Sequence, residues 1–224
     1  MKRKRIGLGC ASLLALVLLM AVSSPSLQAV HAQAQLPRAE TLYLESWEDP
    51  TSFNPYNPEG SAPSFLPFVE PLFVFDGWHF KAVPWLAESS QWVDSLTLRV
   101  KLRDGTMWND GQELTADDVE YSFSLPFRRS ELTGVVADLW TYLDKITVVD
   151  SGTLDFALKA AAPNKYILMQ TLCNAYIVPK HVWEPAEKQY EVMTEFKILE
   201  NPVGSGPYKL MYASVSEHRT VWVR

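Results

Sequence analysis

Hydrophobic and polar side chains alternate most regularly between Ser95 and Arg103. The even-numbered positions are apolar and the odd-numbered positions are polar: Leu96, Leu98, Val100 and Leu102, and Thr97, Arg99, Lys101 and Arg103. A period of two residues is typical of an antiparallel strand with one buried face. The segment is therefore predicted to be a half-buried strand that covers a hydrophobic core.

The same analysis predicts further strands and one helix. The strands are short apolar or alternating segments: Thr41–Glu45, Ile146–Val149, Leu154–Leu158, Tyr208–Tyr212 and Arg219–Val223. Asp150-Ser151-Gly152-Thr153 is predicted to join two of them as a hairpin turn. Pro163–Cys173 is predicted to form a helix with the proline in its first turn. Between Trp47 and Pro71, six prolines exclude a long regular element, and the aromatic residues among them favour a functional loop over disorder.

The N-terminus has the three parts of a secretory signal. Four basic residues at positions 2–5 precede an apolar run, 6–22, and small-residue patterns end at Ala32 and Ala34. We interpret residues 1–34 as a signal peptide and residues 35–224 as the exported domain, located in the periplasm or at the extracellular face of the cytoplasmic membrane. An uncleaved anchor is the alternative, because the apolar run is at the lower limit for spanning a bilayer.

Charge and cysteine content narrow the class of protein. The first 34 residues hold four of the 20 basic residues and none of the 26 acidic ones, so the remainder carries 16 against 26. This acidic balance argues against nucleic acid as a partner. Cys173 is then the only cysteine, which excludes an internal disulfide. The last predicted strand reaches Arg224 with no later segment to pair with it, so we expect the chain to be the N-terminal part of a longer protein.

The segment Leu102–Phe123, "LRDGTMWNDGQELTADDVEYSF", is rich in carboxylates, which are common ligands of calcium. Its spacing does not fit a calcium loop, which needs oxygen ligands at alternate positions ahead of a glycine. Asp104-Gly105 and Asp110-Gly111 are typical of turns. Thr115 and Asp118 have the spacing of a capping box at the start of a helix. We therefore interpret the segment as scaffold, with no metal and no cofactor.

The remaining candidate chemistry is weak. Gly204-Ser205-Gly206 lacks the spacing of a nucleophile elbow, and no H-E-x-x-H, Walker A or C-x-x-C motif occurs. His181 and Glu184, three residues apart, favour a helix-surface contact over a zinc site. Glu48-Asp49 could supply half of a glycosidase pair, but no partner carboxylate is identifiable. No catalytic residue is assigned.

Four segments in a fixed order resemble one family. Residues 102–123 are similar to the "LRdGvkWhDGepltAeDVvysf" segment of the family 5 extracytoplasmic solute-binding proteins of ABC importers. "PTSFNPYN" at 50–57, "VPWLAESSQW" at 83–92 and "ENPVGSGPYKL" at 200–210 resemble further segments of that family. The resemblance covers about Thr41 to Arg224.

This resemblance implies an α/β fold of the periplasmic-binding-protein type II, large peptide-binding class, with mixed sheets and flanking helices. Only the first lobe is expected in residues 35–224, since in the family the second lobe follows the "VGSGPY"-like segment. It further implies a monomeric, non-enzymatic receptor. Such a receptor captures an oligosaccharide or oligopeptide by hinge closure and delivers it to an ABC permease complex.

The quoted segments, with "TLYLESWEDPTSFNP" and "YIVPKHVWE", look closer to members that bind cello- or manno-oligosaccharides. Aromatic rings favour the apolar C–H faces of sugars. The candidate ligand-binding residues are accordingly Trp47, Phe53, Asn54, Tyr56 and Trp140, with Trp47 equally interpretable as a core residue. Two rival classes stay open: a secreted carbohydrate-active enzyme that uses Glu48 or Asp49, and an envelope protein that transports nothing.

Overall fold

The computed structural model describes residues 41–42, 52–56, 68–132, 135–198, 200–214 and 219–224. These residues belong to one compact unit, Arg38–Arg224. The described strands are β1 (Thr41–Leu42), β2 (Phe73–Asp76), β3 (Lys81–Pro84), β4 (Ala87–Trp92), β5 (Thr97–Leu102), β6 (Leu143–Asp150), β7 (Thr153–Leu158), β8 (Lys209–Ser214) and β9 (Arg219–Val223). The described α-helices are α1 (Ala116–Arg128), α2 (Val135–Leu139), α3 (Lys165–Asn174) and α4 (Lys180–Gln189), with a short 3₁₀ helix at Met193–Glu195.

The largest described sheet has the strand order β4-β5-β7-β6, with every pair antiparallel. Leu98, Val100 and Leu102 are buried on one face of β5, which confirms the alternation seen in the sequence. On the other face, Arg99 makes a two-pronged contact with Asp155 on β7, with both N···O distances 2.8 Å. The predicted β6–β7 hairpin is also confirmed, although β6 begins earlier than predicted, at Leu143.

Helix α1 packs against this sheet because the local sequence fixes where it begins and which face is apolar. The backbone N–H of Thr115 donates to Asp118 Oδ2 at 2.9 Å, which completes the predicted capping box. Val119 and Phe123, one turn apart, are fully buried. The ring of Phe123 meets Phe156 of β7 edge-on, with 5.3 Å between centroids. The helix therefore closes the main hydrophobic core over the sheet.

A second described sheet has the order β1-β9-β8 and is also antiparallel. Strand β9 lies in its centre and is paired on both sides by strands that precede it in the chain. Its partners are β8 and the early strand β1, where Thr41 pairs with Val223. The predicted strand at Thr41–Glu45 is confirmed for its first two residues, and the other three lie outside the described residues.

Strands β2 and β3 form a separate hairpin that lies beside α3. Helix α3 begins at Lys165, two residues after Pro163, so the predicted position of the proline within the first turn is wrong. The reason is that Asn164 caps the helix: its side-chain oxygen accepts the N–H of Ile167 at 3.0 Å. Each described strand pair is antiparallel, so the mixed pairing expected of the sheets is absent from this part of the chain.

Residues 1–34, interpreted as a signal peptide, lie outside the described ranges. Trp47, Glu48 and Asp49 also lie outside them. Among the helices that the structure describes, none is both long enough and apolar enough to span a membrane.

Candidate functional site

The two turns predicted in the segment 102–123 form as expected. Gly105 and Gly111 have φ angles of +72° and +92°, a region in which side chains other than glycine are strained. Asp110 Oδ1 accepts the N–H of Gln112 at 3.1 Å, which closes the second turn. Within the described ranges, no three side chains of His, Cys, Asp or Glu come together to hold a metal ion.

Asn109, in the second turn, connects this segment to a distant one. Its backbone N–H donates to the carbonyl of Gly204 at 2.9 Å, and its side-chain amide donates to the carbonyl of Pro202 at 3.1 Å. Gly204 in turn lies against Phe68: a Cβ atom at Gly204 would stand 1.9 Å from the Phe68 carbonyl oxygen. We call residues 108–111 and 202–206, with Phe68, the signature junction. It joins two of the segments on which the family resemblance depends.

Asp118 ties helix α4 to the same region. Its buried carboxylate accepts the backbone N–H of Lys180 at 2.8 Å, besides that of Thr115, and lies 3.4 Å from the indole nitrogen of Trp108. Asp118 therefore links the start of α1 to the start of α4 through backbone hydrogen bonds.

His181 also reaches the signature junction, a contact that was not predicted. Its Nε2 lies 2.7 Å from Asp110 Oδ2, while Glu184 contacts Lys188 instead. The expected contact between His181 and Glu184 is therefore replaced by two separate ones. Partial burial raises the pKa of Asp110, but the bonds from His181 and the Gln112 N–H outweigh burial and hold that pKa below its usual value.

The structure places Phe53, Asn54 and Tyr56 in the interior. The Phe53 ring packs edge-on against Phe68 and Trp222, at centroid distances of 6.0 and 5.6 Å. The Asn54 amide donates to two backbone carbonyls near the 3₁₀ helix, both at 3.0 Å. The Tyr56 hydroxyl donates to the carbonyl of Ser122 at 2.9 Å, and burial raises its pKa well above the ordinary value. These contacts make the three residues packing elements, and their ligand contact stays a prediction.

Trp140 lies elsewhere in the described chain. Its indole N–H donates to the carbonyl of Phe123 at 2.8 Å, and its ring packs on Phe127, with 4.8 Å between centroids. It borders the core under α1, whereas Phe53 and Tyr56 belong to two other clusters. Trp47 lies outside the described residues. The structure therefore does not gather the predicted set into one site.

A different surface carries the exposed aromatic side chains. The segment 73–85, which we call the aromatic hairpin, comprises β2, β3 and the turn between them, and ends at Trp85. Trp78 is 92 % exposed, Phe80 82 % and Phe75 54 %. Five aromatic residues lie between Phe73 and Trp85 around an Asp-Gly turn. This local density is the sequence signal that could have identified the surface.

Two concave surfaces adjoin the aromatic hairpin, each of about 440 Å³. The first, which we call the hairpin groove, lies between the hairpin and α3. It is lined by Phe75, Phe80, Ala82, Tyr166, Met169, Gln170, Cys173 and Asn174. The second shares Cys173 and Asn174 with it and continues along Trp85 and Tyr176. Their volume is in the range of small-molecule sites.

A cluster of charged side chains lies between α1 and α4. Glu187 accepts from the Tyr121 hydroxyl at 3.0 Å and from Arg128 at 3.3 and 3.4 Å, and it lies 3.6 Å from Arg129. Burial raises the pKa of Glu187, but the bonds from Arg128 and Tyr121 outweigh burial and lower it. These hydrogen bonds and ion pairs connect α1 to α4, which indicates a structural role for the cluster.

Comparison with known proteins identifies the family that the quoted sequence segments resemble. A family model described as bacterial extracellular solute-binding proteins, family 5, middle region, matches residues 81–224. The oligopeptide-binding protein AppA of Bacillus subtilis is 32 % identical over 125 residues, which are 55 % of this chain and 22 % of that protein.

Two solved structures are similar in fold and sequence. One is a mannohexaose-bound periplasmic oligopeptide-binding protein of an ABC transporter from Thermotoga maritima: 36 % identity, 80 % of this chain, 32 % of that chain and a TM-score of 0.70. The other is AppA from Bacillus subtilis with a nonapeptide: 27 % identity, 75 % of this chain, 33 % of that chain and a TM-score of 0.63.

These neighbours confirm the predicted fold class, an α/β fold of the periplasmic binding proteins. The chain spans about a fifth to a third of the length of the relatives and structures named above.

Proposed function

The chain belongs to the bacterial extracellular solute-binding proteins of family 5, and from this membership we propose that it serves as the substrate-binding component of an ABC importer. It acts outside the cytoplasm, captures an oligosaccharide or an oligopeptide, and presents it to a membrane permease. The observation that carries the proposal is the 36 % identity over 80 % of the chain to a transporter-associated binding protein.

Both ligand classes have support among the relatives. The Thermotoga maritima neighbour holds mannohexaose, and the Bacillus subtilis neighbour holds a nonapeptide. The sequence segments that look closer to oligosaccharide-binding members favour the sugar. Either ligand would close the hinge only if it binds the closed state more tightly than the open state, because the difference in affinity sets the shift between the two states.

Binding without turnover is the central expectation. The family is one of substrate-binding proteins, and two carboxylates of the segment 102–123, Asp110 and Asp118, accept backbone N–H groups in a turn and at a helix cap. We therefore propose that the protein leaves its ligand chemically unchanged.

A ligand screen by thermal unfolding tests this function. A ligand that binds the native state at one hundred times its Kd stabilises it by about 2.7 kcal/mol. We expect a raised melting temperature with either mannohexaose or a nonapeptide pool, and we expect both probes to be recovered intact. Shortened oligosaccharide products after incubation would instead support the carbohydrate-active enzyme, and no shift with either probe would contradict the proposal.

A further inference from the structure

We propose that the hairpin groove binds a neutral hexose oligosaccharide, with Phe80 and Tyr166 as stacking surfaces and Gln170 as a hydrogen-bonding group. The proposal rests on the proposed function and adds to it a ligand class and a site. It concerns residues that the sequence analysis did not assign.

Exposure of the aromatic rings is the first observation. Phe80 and Tyr166, which face the hairpin groove from opposite sides, are 82 % and 74 % exposed. Soluble proteins rarely leave contiguous aromatic surface in water unless it contacts a partner or ligand. Phe80 also has a φ angle of +51°, a conformation that bulky side chains seldom adopt and that the turn of the hairpin imposes here.

The tip of the aromatic hairpin is held in place by one carboxylate. Asp76 Oδ1 accepts the backbone N–H groups of Trp78 and His79 at 2.9 and 3.2 Å, and Oδ2 lies 2.5 Å from His79 Nδ1. These bonds fix the turn that leads into Phe80. A ring held in position before binding loses little conformational freedom when a ligand stacks on it.

Helix α3 supplies the opposite wall of the groove. The lining residues are spaced as one face of a helix, three and four positions apart: Tyr166, Met169, Gln170, Cys173 and Asn174. Tyr166, Gln170 and Asn174 are exposed on this face, while Met169 and Cys173 are half-buried and also pack against the main core, in which Leu168 and Leu172 are fully buried. The helix therefore has a core face and a groove face.

The chemistry of the lining selects a neutral, polyhydroxylated ligand. None of the residues that line the hairpin groove is Asp, Glu, Lys or Arg. A peptide that is recognised by its charged termini requires charged partner groups, which this lining lacks. A hexose instead presents an apolar C–H face to an aromatic ring and hydroxyl groups to an amide. Phe80, Tyr166 and Gln170 provide these two kinds of contact.

The second concave surface extends the site beyond one sugar ring. It shares Cys173 and Asn174 with the hairpin groove and continues to Trp85 and to Glu70, the one charged residue among those that line it. The Trp85 indole is held by Glu70, with 2.8 Å between Nε1 and Oε1. The pair of surfaces therefore suits an oligosaccharide better than a monosaccharide.

Titration calorimetry of the chain with mannohexaose and cellohexaose tests the site. We expect Phe80→Ala and Tyr166→Ala each to weaken binding of the preferred sugar about tenfold, since each variant removes a ring that stacks on the sugar. The matched control is Phe127→Ala, which removes an aromatic ring that is 66 % exposed on α1, outside the groove. It is expected to leave sugar affinity within twofold, and all three variants should keep their circular dichroism spectra.

The outcomes separate this proposal from the proposed function. Sugar binding that is unchanged in both groove variants would overturn the groove but leave the receptor function in place. Binding of a nonapeptide pool without sugar binding would do the same, and so would variants that alter only self-association in sedimentation velocity. Failure of sugars and peptides alike would contradict both proposals.

Discussion

The backbone N–H of Asn109 donates to the carbonyl oxygen of Gly204 at 2.9 Å, and this bond joins two segments far apart in the chain. The Asn109 side chain repeats the connection at Pro202. Because Gly204 precedes β8 and Asn109 precedes α1, the signature junction fixes the β1-β9-β8 sheet relative to the turns that precede α1. The glycine and the asparagine are thus explained by packing and need no catalytic role.

Replacement of Gly204 by alanine should destabilise the protein severely. A Cβ atom there would lie 1.9 Å from the Phe68 carbonyl oxygen, a distance that only backbone movement can relieve. We expect the free energy of unfolding to fall by about 3 kcal/mol, as in overpacked cores. Urea denaturation measures the change. Gly152→Ala is the matched control, because its Cβ would meet no atom closer than 3.8 Å. An equal loss in both variants would contradict the role of close packing at Gly204.

Asp118→Asn should lower the free energy of unfolding far more than Asp117→Asn, although the two residues are neighbours in the first turn of α1. Asp118 is buried and accepts backbone N–H groups from Thr115 and Lys180 on its two oxygens. The side-chain amide of asparagine would direct its NH₂ group at one of these N–H donors. We therefore expect the free energy of unfolding to fall by about 2 kcal/mol.

Asp117 is exposed, so its replacement removes only a favourable charge at the helix start, worth below about 1 kcal/mol. Since both variants lose one negative charge, their difference in urea midpoint isolates the buried hydrogen bonds. Similar midpoints would contradict a stabilising role for the buried hydrogen bonds of Asp118.

The parts of the fold that follow from local rules were predictable. The alternation in β5 and the spacing of Thr115 and Asp118 each depend on a few neighbouring residues, and the structure confirms both. The start of α3 was misplaced because two local signals compete there. Pro163 suits a first turn, but the side chain of Asn164 satisfies the N–H of Ile167 and so defines the cap.

The candidate site was harder to predict, because exposure depends on the whole fold. Trp222 and Trp78 are equally hydrophobic, yet Trp222 is 1 % exposed and Trp78 is 92 % exposed. Trp78 follows an Asp-Gly turn and Trp222 lies between two valines of a strand, but what buries Trp222 is its packing against Phe53 and Phe68 from distant segments. For the same reason the contact between Asp110 and His181 was missed: it joins a turn to a helix 71 positions away.

Truncation of Phe123 should test the core under α1. The side chain is fully buried against Phe156, so Phe123→Ala is expected to cost about 3–5 kcal/mol. Phe127→Ala, one turn further along the same helix, removes a ring that is 66 % exposed and should cost about 1 kcal/mol or less. Thermal unfolding followed by circular dichroism measures both changes. A larger loss at Phe127 would contradict the assigned orientation of the helix.

The Glu187 cluster should make stability depend on acid pH. Bonds from Arg128 and Tyr121 outweigh the effect of burial and hold the pKa of Glu187 below its ordinary value in the folded protein. A lowered folded pKa contributes stability that is complete above the unfolded pKa, about 4.3, and is lost as pH falls through the folded value. The carboxylate therefore stabilises the protein at neutral pH and ceases to do so in acid.

Glu187→Gln should lower the free energy of unfolding at pH 7 by about 1–2 kcal/mol, because charged hydrogen bonds to Arg128 become neutral ones. The difference from the unmodified chain should shrink as pH falls below about 4.3, since the glutamate is then protonated as well. Urea denaturation at a series of pH values from 7 to 2 measures this convergence. Glu184→Gln, which removes only a 3.4 Å contact with Lys188 on the surface, should give a nearly constant and small difference. If the gap at Glu187 stays the same at every pH, the ionised carboxylate is not what holds α1 and α4 together.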